Sequence, residues 1–538
     1  MNTILHTLDR WQPFRALVLG DFMLDELVFG DAERLSADAP VPVLHVRRVE
    51  RHAGGAANLC LGLEAIGAGS VRAFGVVGND EPGGALRAAL QTAKIDTAGL
   101  LTADDQLQGG RPTTVKRNMI GLAQSRHPQK MFRVDYESHE PLGDVLEARL
   151  LAALRAALAE ADVLCIEDYA KGVCSPAMCA AAIAAARQAG VPVFVDPAKL
   201  TDYARYQGCT AITPNRTEAE HATGLRTHAE DDTDTGAKGG GAGARDTRAA
   251  SAHTHNAALA HALAQTVECE AVVLTLDRHG ALLCERTGDP VTVPTRVRQV
   301  YDVTGAGDIF LAGLAAARAN GLSWRDATRL ANVAAGIEVE SFGAVPVPIE
   351  RIHQQVLAES SAEHGKLRTI DQLLVEVRAW RREGKRIVFT NGCFDVLHAG
   401  HVSLLDRAKR LGDVLIVATN TDERVREFKG PNRPVNALAQ RAAVLSGLAA
   451  VDAVVVFEEE TPREIIERIV PDVLAKGDEY EEANIPGAAF VIEHGGTVER
   501  LSMVEGYSTT ATLRKMGDPR AETAATTETR ARFVEDQK

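Results

Sequence analysis

Short runs of β-branched and apolar residues alternate with Ala- and Leu-rich stretches along most of this chain, and no other feature restricts its fold as much. Between Ala16 and about Pro348, residues 16–19, 71–77, 163–166, 193–195 and 271–276 read as strands, and residues 145–161 and 175–190 as helices between them. Strands joined through helices need crossover connections, which are right-handed and build a mainly parallel sheet. Residues 40–49 and 113–133 depart from this pattern. They read as hairpin strands and predict a small sheet over one end of the main one.

The alternation stops and then restarts. Residues 359–368 are polar, and from Thr369 to Met516 strands (386–389, 414–418, 453–457, 473–475) again alternate with helices. At 538 residues the chain is too long for a single core. The reading is α/β throughout, with a domain over 1–358, a linker over 359–368 and a second domain over 369–516. Residues 227–256, rich in Thr, Asp, Gly, Ala and His, read as a solvated insertion in the first domain, because their histidines have no fixed ligand spacing. Residues 517–538 read as a disordered tail.

A formal net charge of -14 argues against non-specific binding to nucleic acid or to anionic membranes. The eight cysteines are scattered without a CxxC pair, as expected in a reducing cytosol. No apolar run approaches the roughly 18 residues needed to span a bilayer, and residues 1–15 lack the apolar centre of a secretion signal. The expectation is a cytoplasmic protein without a nucleic-acid or membrane partner.

In the first block, Asp302-Val303-Thr304-Gly305-Ala306-Gly307-Asp308 leads into an apolar helix. Glycines at a helix start leave consecutive N–H groups open, so Gly305, Ala306 and Gly307 can meet the charge on a transferred phosphoryl group. Asp308 stands where it can accept the proton of an attacking hydroxyl. Taken alone, these residues could equally be a Gly-rich turn with an Asp cap. In the second block, Thr390-Asn391-Gly392-Cys393-Phe394-Asp395-Val396-Leu397-His398-Ala399-Gly400-His401 joins a strand to a helix. Both imidazoles then lie at a helix N-terminus, where the dipole favours an anion. Zinc ligation by His398 and His401 is the rival, but no third ligand stands at metal spacing, and no residue is singled out as a metal ligand.

Gly54-Gly55-Ala56-Ala57-Asn58, Gly78-Asn79-Asp80 and the segment ending at Asp308 resemble the signatures of ribokinase-like carbohydrate kinases. The resemblance implies a ribokinase-like α/β domain with a small β-sheet lid, and Asp308 as the catalytic base. It implies that Asp21, Asp25, Gly54, Gly55 and Asn58 meet the sugar. Asn215, Arg216, Thr217 and Glu218 match the family's N-x-x-E segment, which helps place Mg²⁺ and ATP. Residues 35–43, 167–172 and 300–304 narrow the likeness to heptose 7-phosphate kinases, in which ATP phosphorylates the C1 hydroxyl. Lys116 and Arg133 match the positions expected to hold the C7 phosphate. A monovalent cation is also implied in this domain, although Ser341-Phe342-Gly343-Ala344 replaces a more typical Lys-Leu-Gly-Thr near that region.

Residues 389–401 resemble the HxGH nucleotidyltransferases, which implies a Rossmann-like second domain. His398, His401 and Lys429 would stabilise the transition state. Thr390, Asn391, Gly392, Phe394, Asp395, Asn420, Asp422 and Arg441 would hold the nucleotide, and Ser508, Thr509 and Thr510 match the segment that grips the β- and γ-phosphates. The sugar-phosphate nucleophile is already anionic, so no general base is required, and Mg²⁺ would hold the leaving phosphates. HxGH does not by itself choose ATP over CTP.

The order of the two blocks resembles the bifunctional heptose 7-phosphate kinase / heptose 1-phosphate adenylyltransferases, which contribute ADP-heptose to the lipopolysaccharide core. That family implies AMP transfer from ATP to heptose 1-phosphate, reliance on a separate heptose bisphosphate phosphatase, and a homodimer. The alternative is a kinase for another sugar phosphate fused to a glycerol-phosphate-type cytidylyltransferase. Intact Asp308, His398, His401 and Lys429 weigh against a mere binding protein with degenerate sites.

Overall fold

The computed structural model describes residues 2–103, 110–122, 128–225, 242–296, 302–341, 343–478, 481 and 484–502, with 2, 242–251 and 360–364 as backbone alone. The chain divides into two compact units, one of Arg10–Gln355 and one of Met1–Asp9 with Val356–Lys538.

The strands of the first unit are, in chain order, β1 (Arg15–Gly20), β2 (Phe22–Leu35), β3 (Pro42–Gly55), β4 (Ser70–Gly78), β5 (Leu100–Ala103), β6 (Thr114–Leu122) and β7 (Gln129–Tyr136). They continue as β8 (Val163–Glu167), β9 (Val193–Asp196), β10 (Ala211–Ile212), β11 (Ala271–Thr275), β12 (Ala281–Glu285) and β13 (Val291–Val293). Nine of them form one sheet in the order β13-β12-β11-β10-β9-β8-β1-β4-β5. Only the β11–β12 and β12–β13 pairs are antiparallel, as helix-bearing crossovers require of the rest. The strands are buried almost end to end, and Leu17, Leu19, Leu164, Ile166, Val193, Val195, Val272 and Leu274 carry one face of the core. Aromatics make up only 4% of the chain, so small side chains do the packing: seven of the alanines in the helices Ala306–Ala319 and Trp324–Glu338 are fully buried.

The expected small sheet exists, in the order β3-β2-β6-β7, but its strands are longer than the sequence suggested. β2 and β3 each span 14 residues. β2 interrupts its apolar residues with Asp25, Glu26, Gly30 and Asp31, so no long apolar run marks it as a strand.

The second unit has β14 (Leu367–Arg368), β15 (Ile387–Gly392), β16 (Val414–Asn420), β17 (Ala453–Phe457), β18 (Val473–Gly477) and β19 (Thr497–Leu501). All pair in parallel, in the order β14-β17-β16-β15-β18-β19. The Rossmann-like expectation is met, with core clusters on both faces of this sheet.

Three boundaries differ from those read in the sequence. Helix Asn2–Asp9 groups with the second unit, where Asp9 pairs with Arg378 at 2.7 Å and Arg382 at 2.5 Å. Residues 359–368, read as a linker, contain the end of helix Ile349–His364 and edge strand β14. Buried Arg368 pairs there with buried Glu376 at 2.6 Å. Part of the segment read as an insertion belongs to helix Ala242–Val267, in which His255 Nε2 lies 3.2 Å from Glu220 Oε1. Residues 226–241 and the tail from 503 lie outside the described residues.

Candidate active sites

The first site is built at the start of helix Ala306–Ala319. Gly305 precedes it with φ 94°, and no side chain caps the helix. A Cβ on Gly305 would meet Asn58 Nδ2 at 2.8 Å and would be strained at that φ, so only glycine lets the turn close over Asn58. Asp308 lies one turn in and is 2% exposed. Asn58 Nδ2 donates to its Oδ2 at 2.7 Å, and Tyr169 OH donates to its Oδ1 at 2.8 Å. Burial pushes its pKa up to about 6, while the two hydrogen bonds and Lys116 oppose that rise. A carboxylate so tuned is fixed in direction and basic enough to accept a proton.

Glu167 and Asp196 end β8 and β9, at the carboxyl edge where open α/β sheets bind ligands. With Asp308 they place one carboxylate oxygen each within 4.8 Å of one another. Burial, then the neighbouring acids, push Glu167 and Asp196 well above the usual carboxylate range. Glu167 Oε2 is buried without a hydrogen-bond partner. Such a trio fits a divalent cation. Sequence spacing could not reveal it, because its members come from three separate elements.

The other expected kinase residues divide by environment. Asp21 does not face a sugar: it is 2% exposed and accepts from the N–H groups of Tyr169, Lys171 and Val173 at 2.9, 2.9 and 3.2 Å. Its task is to hold the turn that carries Tyr169. Asp25 and Lys116 are paired across β2 and β6, and Lys116 Nζ lies 4.6 Å over the Tyr169 ring. Gly54 lets β3 pass Asp25, since a Cβ there would meet Asp25 Oδ2 at 2.4 Å. Gly55 has φ 55° at the entry to helix Ala56–Ala65, which carries Asn58. Arg133 is exposed and bound by two hydrogen bonds to Asp135, at 2.7 and 2.8 Å. Asn215 and Glu218 form a reciprocal capping box on helix Arg216–Thr223, with Arg216 and Thr217 in its first turn. The N-x-x-E pattern is therefore first a helix start. Besides Glu167 and Asp196, two further residues of this site escaped the sequence reading. Lys130 on β7 reaches both oxygens of Asp302 at 3.1 Å. Glu338, 1% exposed, has neither oxygen hydrogen-bonded, and its Oε1 lies 3.1 Å from where a Cβ on Gly305 would be.

The second site opens at the carboxyl ends of β15 and β16. His398 is the N-cap of helix Ala399–Lys409, without a side-chain cap bond. The His398 and His401 rings lie 4.0 Å apart, and Phe394 meets His401 edge-on at 5.5 Å. Phe394 takes φ 48°, which turns the loop back beneath the histidines. Burial, then His398 and Lys429, push the His401 pKa down to about 4, and burial lowers His398. Lys429, the last residue of helix Asp422–Lys429, is the cation whose charge contributes to that lowering of His401. Thr390 is buried and Asn391 and Gly392 half-buried at the end of β15. Lys476 on β18 donates to Asn391 Oδ1 at 2.8 Å and to its carbonyl at 3.1 Å, a brace that sequence reading did not assign.

Three of the residues expected to bind nucleotide are committed elsewhere. Arg441 has a fully buried side chain. It donates to the Asn436, Cys393 and Asn420 carbonyls, Thr419 Oγ1 and Asp422 Oδ1, at 2.7–3.2 Å. These five bonds use all five N–H groups of a guanidinium, so Arg441 braces the loops and has no donor left for a phosphate. Asp422 accepts from Arg441 and from Leu438 N at 3.1 Å. Asp395 is buried against Arg433 and accepts from Val435 N at 2.6 Å and Asn436 N at 3.2 Å. Asn420, 5% exposed, ends β16 beside Cys393. Ser508, Thr509 and Thr510 lie outside the described residues.

Residues 15–350 match the pfkB family of carbohydrate kinases, and residues 389–488 match the cytidylyltransferase-like family. Relatives span nearly the whole chain. The "Bifunctional protein HldE" of Pelobacter propionicus is 39% identical over 94% of this chain and 97% of its own length. That of Methylobacillus flagellatus is 38% identical over 96% and 99%, and that of Geobacter metallireducens 40% identical over 94% and 96%. Among solved structures, phosphofructokinase-2 from Escherichia coli superposes with a TM-score of 0.50 at 16% identity, covering 65% of this chain and all of that one, a likeness of fold.

Proposed function

Because the chain belongs to the bifunctional HldE family, and so is a heptose 7-phosphate kinase and a heptose 1-phosphate adenylyltransferase, we propose a division of the two reactions among its residues. The observation that carries the proposal is Asp308, buried and aimed by Asn58 and Tyr169 at an uncapped helix start. In the kinase unit, Asp308 accepts the proton of the C1 hydroxyl as that oxygen attacks the γ-phosphorus of ATP. The N–H groups of Gly305, Ala306 and Gly307 meet the transferring phosphoryl oxygens. Asp25 and Lys116 position the sugar. Glu167 and Asp196 would hold Mg²⁺, which when bound offsets charge on the ATP phosphates. Glu338 is the residue that would hold a monovalent cation, since its two carboxylate oxygens are buried without a hydrogen-bond partner.

In the second unit, a phosphate oxygen of heptose 1-phosphate attacks the α-phosphorus of ATP and pyrophosphate leaves. His398, His401 and Lys429 donate to the oxygens on which charge grows, and Thr390, Asn391 and Gly392 line the triphosphate path. A low pKa for His401 means that its imidazole waits neutral and acts as a hydrogen-bond donor, not a fixed charge. The kinase product still carries its C7 phosphate and the adenylyltransferase substrate does not. A separate phosphatase must therefore act between the two reactions.

A homodimer is supported by the outer face of the β3-β2-β6-β7 sheet. There Val28, Leu44, Val46, Val49, Met119 and Phe132 line a groove of about 630 Å³, with Val46, Val49 and Phe132 about half exposed. Sedimentation of the full chain tests it. All eight cysteines are free, in keeping with a cytoplasmic site, and no described helix is long and apolar enough to cross a membrane. The decisive assay offers the protein ATP or CTP with heptose 7-phosphate or heptose 1-phosphate and follows ADP and pyrophosphate separately. ADP should form only with the 7-phosphate, and pyrophosphate only with ATP and the 1-phosphate. Pyrophosphate release from CTP alone would overturn the adenylyl assignment.

A further inference from the structure

The inner face of the lid sheet carries a histidine, His52, whose Nε2 has no hydrogen-bond partner. Register pairs Asp25 with His52 across β2 and β3, and with Lys116 across β2 and β6. Paired residues point to the same face, so His52, Asp25 and Lys116 form one row across three strands. The opposite face holds the apolar groove. Lys116 is the end of the row nearest the base, over Tyr169, whose hydroxyl reaches Asp308. His52 is the other end. Its Nε2 is buried without a hydrogen-bond partner, and the nearest acid, Glu50, is 3.8 Å away, beyond hydrogen-bond reach. Burial pushes the Asp25 carboxyl up, and Lys116, His52, Arg133 and Lys130 pull it back, so the row sits in a basic surround.

We propose that His52 Nε2 is a ligand for the phosphate already present on the sugar, and thus a residue that selects a phosphorylated sugar over a free one. The inference rests on the heptose 7-phosphate kinase reading above. Two strand spacings separate the ends of the row, about 10 Å, comparable with the span of a seven-carbon sugar phosphate. With C1 at Asp308 and the ring hydroxyls at Asp25, the far end of the sugar lies toward His52. A buried ring nitrogen left unpaired costs free energy in the empty protein, and with its proton on Nε2 the imidazole would donate to a phosphate oxygen. Arg133 is a weaker candidate because Asp135 already occupies its guanidinium.

The test measures kinase kinetics of the full chain with heptose 7-phosphate and with the unphosphorylated heptose, with adenylyltransfer by the same sample as the control for folding. In His52→Ala, KM for the 7-phosphate should rise about tenfold or more, as loss of one hydrogen bond to a charged group implies. Turnover should change little, and kcat/KM for the free heptose should stay as in the parent. His52→Gln, which restores an N–H donor, should recover part of the loss. An equal loss with both sugars, or no change with either, would overturn the role of His52. A parent enzyme that does not distinguish the two sugars would instead refute the reading beneath it.

Discussion

Replacing Arg441 with methionine separates a brace from a ligand. The change keeps the length and bulk of the side chain and removes all five N–H donors, leaving Asp422, Thr419 and three carbonyls to find new partners in a buried place. Removing one member of a buried, hydrogen-bonded ion pair costs about 3–5 kcal/mol. For a folded unit of about this size, each kcal/mol lowers Tm by roughly 2–4 °C. The second unit should therefore melt roughly 6–20 °C lower. Thermal inactivation of adenylyltransfer, read against kinase activity in the same heated sample, measures the loss with an internal reference. Arg441→Lys should also lose stability, because an ammonium cannot reproduce the planar fork. A variant that melts like the parent but has lost affinity for ATP would refute the argument and return Arg441 to the nucleotide site.

Three further outcomes are expected. His401→Ala should lower adenylyltransferase turnover about 10²–10³-fold with a smaller change in ATP affinity, and stoichiometric zinc lost with the histidine would show a metal ligand instead. The His401 pKa is depressed to about 4 from an ordinary 6.5, so the unfolded chain binds the extra proton between those values; stability of the second unit should fall as pH drops from 6.5 toward 4, and His401→Gln should flatten that slope in pH-dependent melting. Added K⁺ should raise the melting temperature of the kinase unit in the parent but not in Glu338→Gln, and an equal rise in both would remove Glu338 from the cation site.

Much of this molecule is legible in its sequence, and the exceptions share a cause. The parallel sheets follow from apolar runs such as 163–166 and 414–418, whose strands are buried on both faces. The glycines before Asp308 could be placed because they open an apolar helix, and the histidines around Gly400 because they sit where a strand passes into a helix. What stayed hidden depends on partners distant in sequence. Asp21, Asp395 and Arg441 have the residue types of binding groups, and only the backbone amides and carbonyls folded around them show that they are used up. Glu338 sits in a run of alanine and isoleucine, and nothing local marks its carboxylate as buried beside Gly305. Edge strands β14 and β19 were missed because they are short or mostly exposed and lack an apolar run. Tyr169 and His52 acquire their roles only when strands far apart in the chain come into register.

The central claim is that one chain holds two separate sites, and that Asp308 is the base of the first. The most direct measurement is the rate of ADP formation by Asp308→Asn at saturating ATP and heptose 7-phosphate, beside its rate of pyrophosphate release with heptose 1-phosphate. The substitution keeps the shape that Asn58 and Tyr169 hold and removes the proton acceptor. ADP formation should fall by roughly 10²–10⁴-fold and pyrophosphate release should remain as in the parent. A near-normal rate of ADP formation, or a parallel loss of both activities, would contradict that claim.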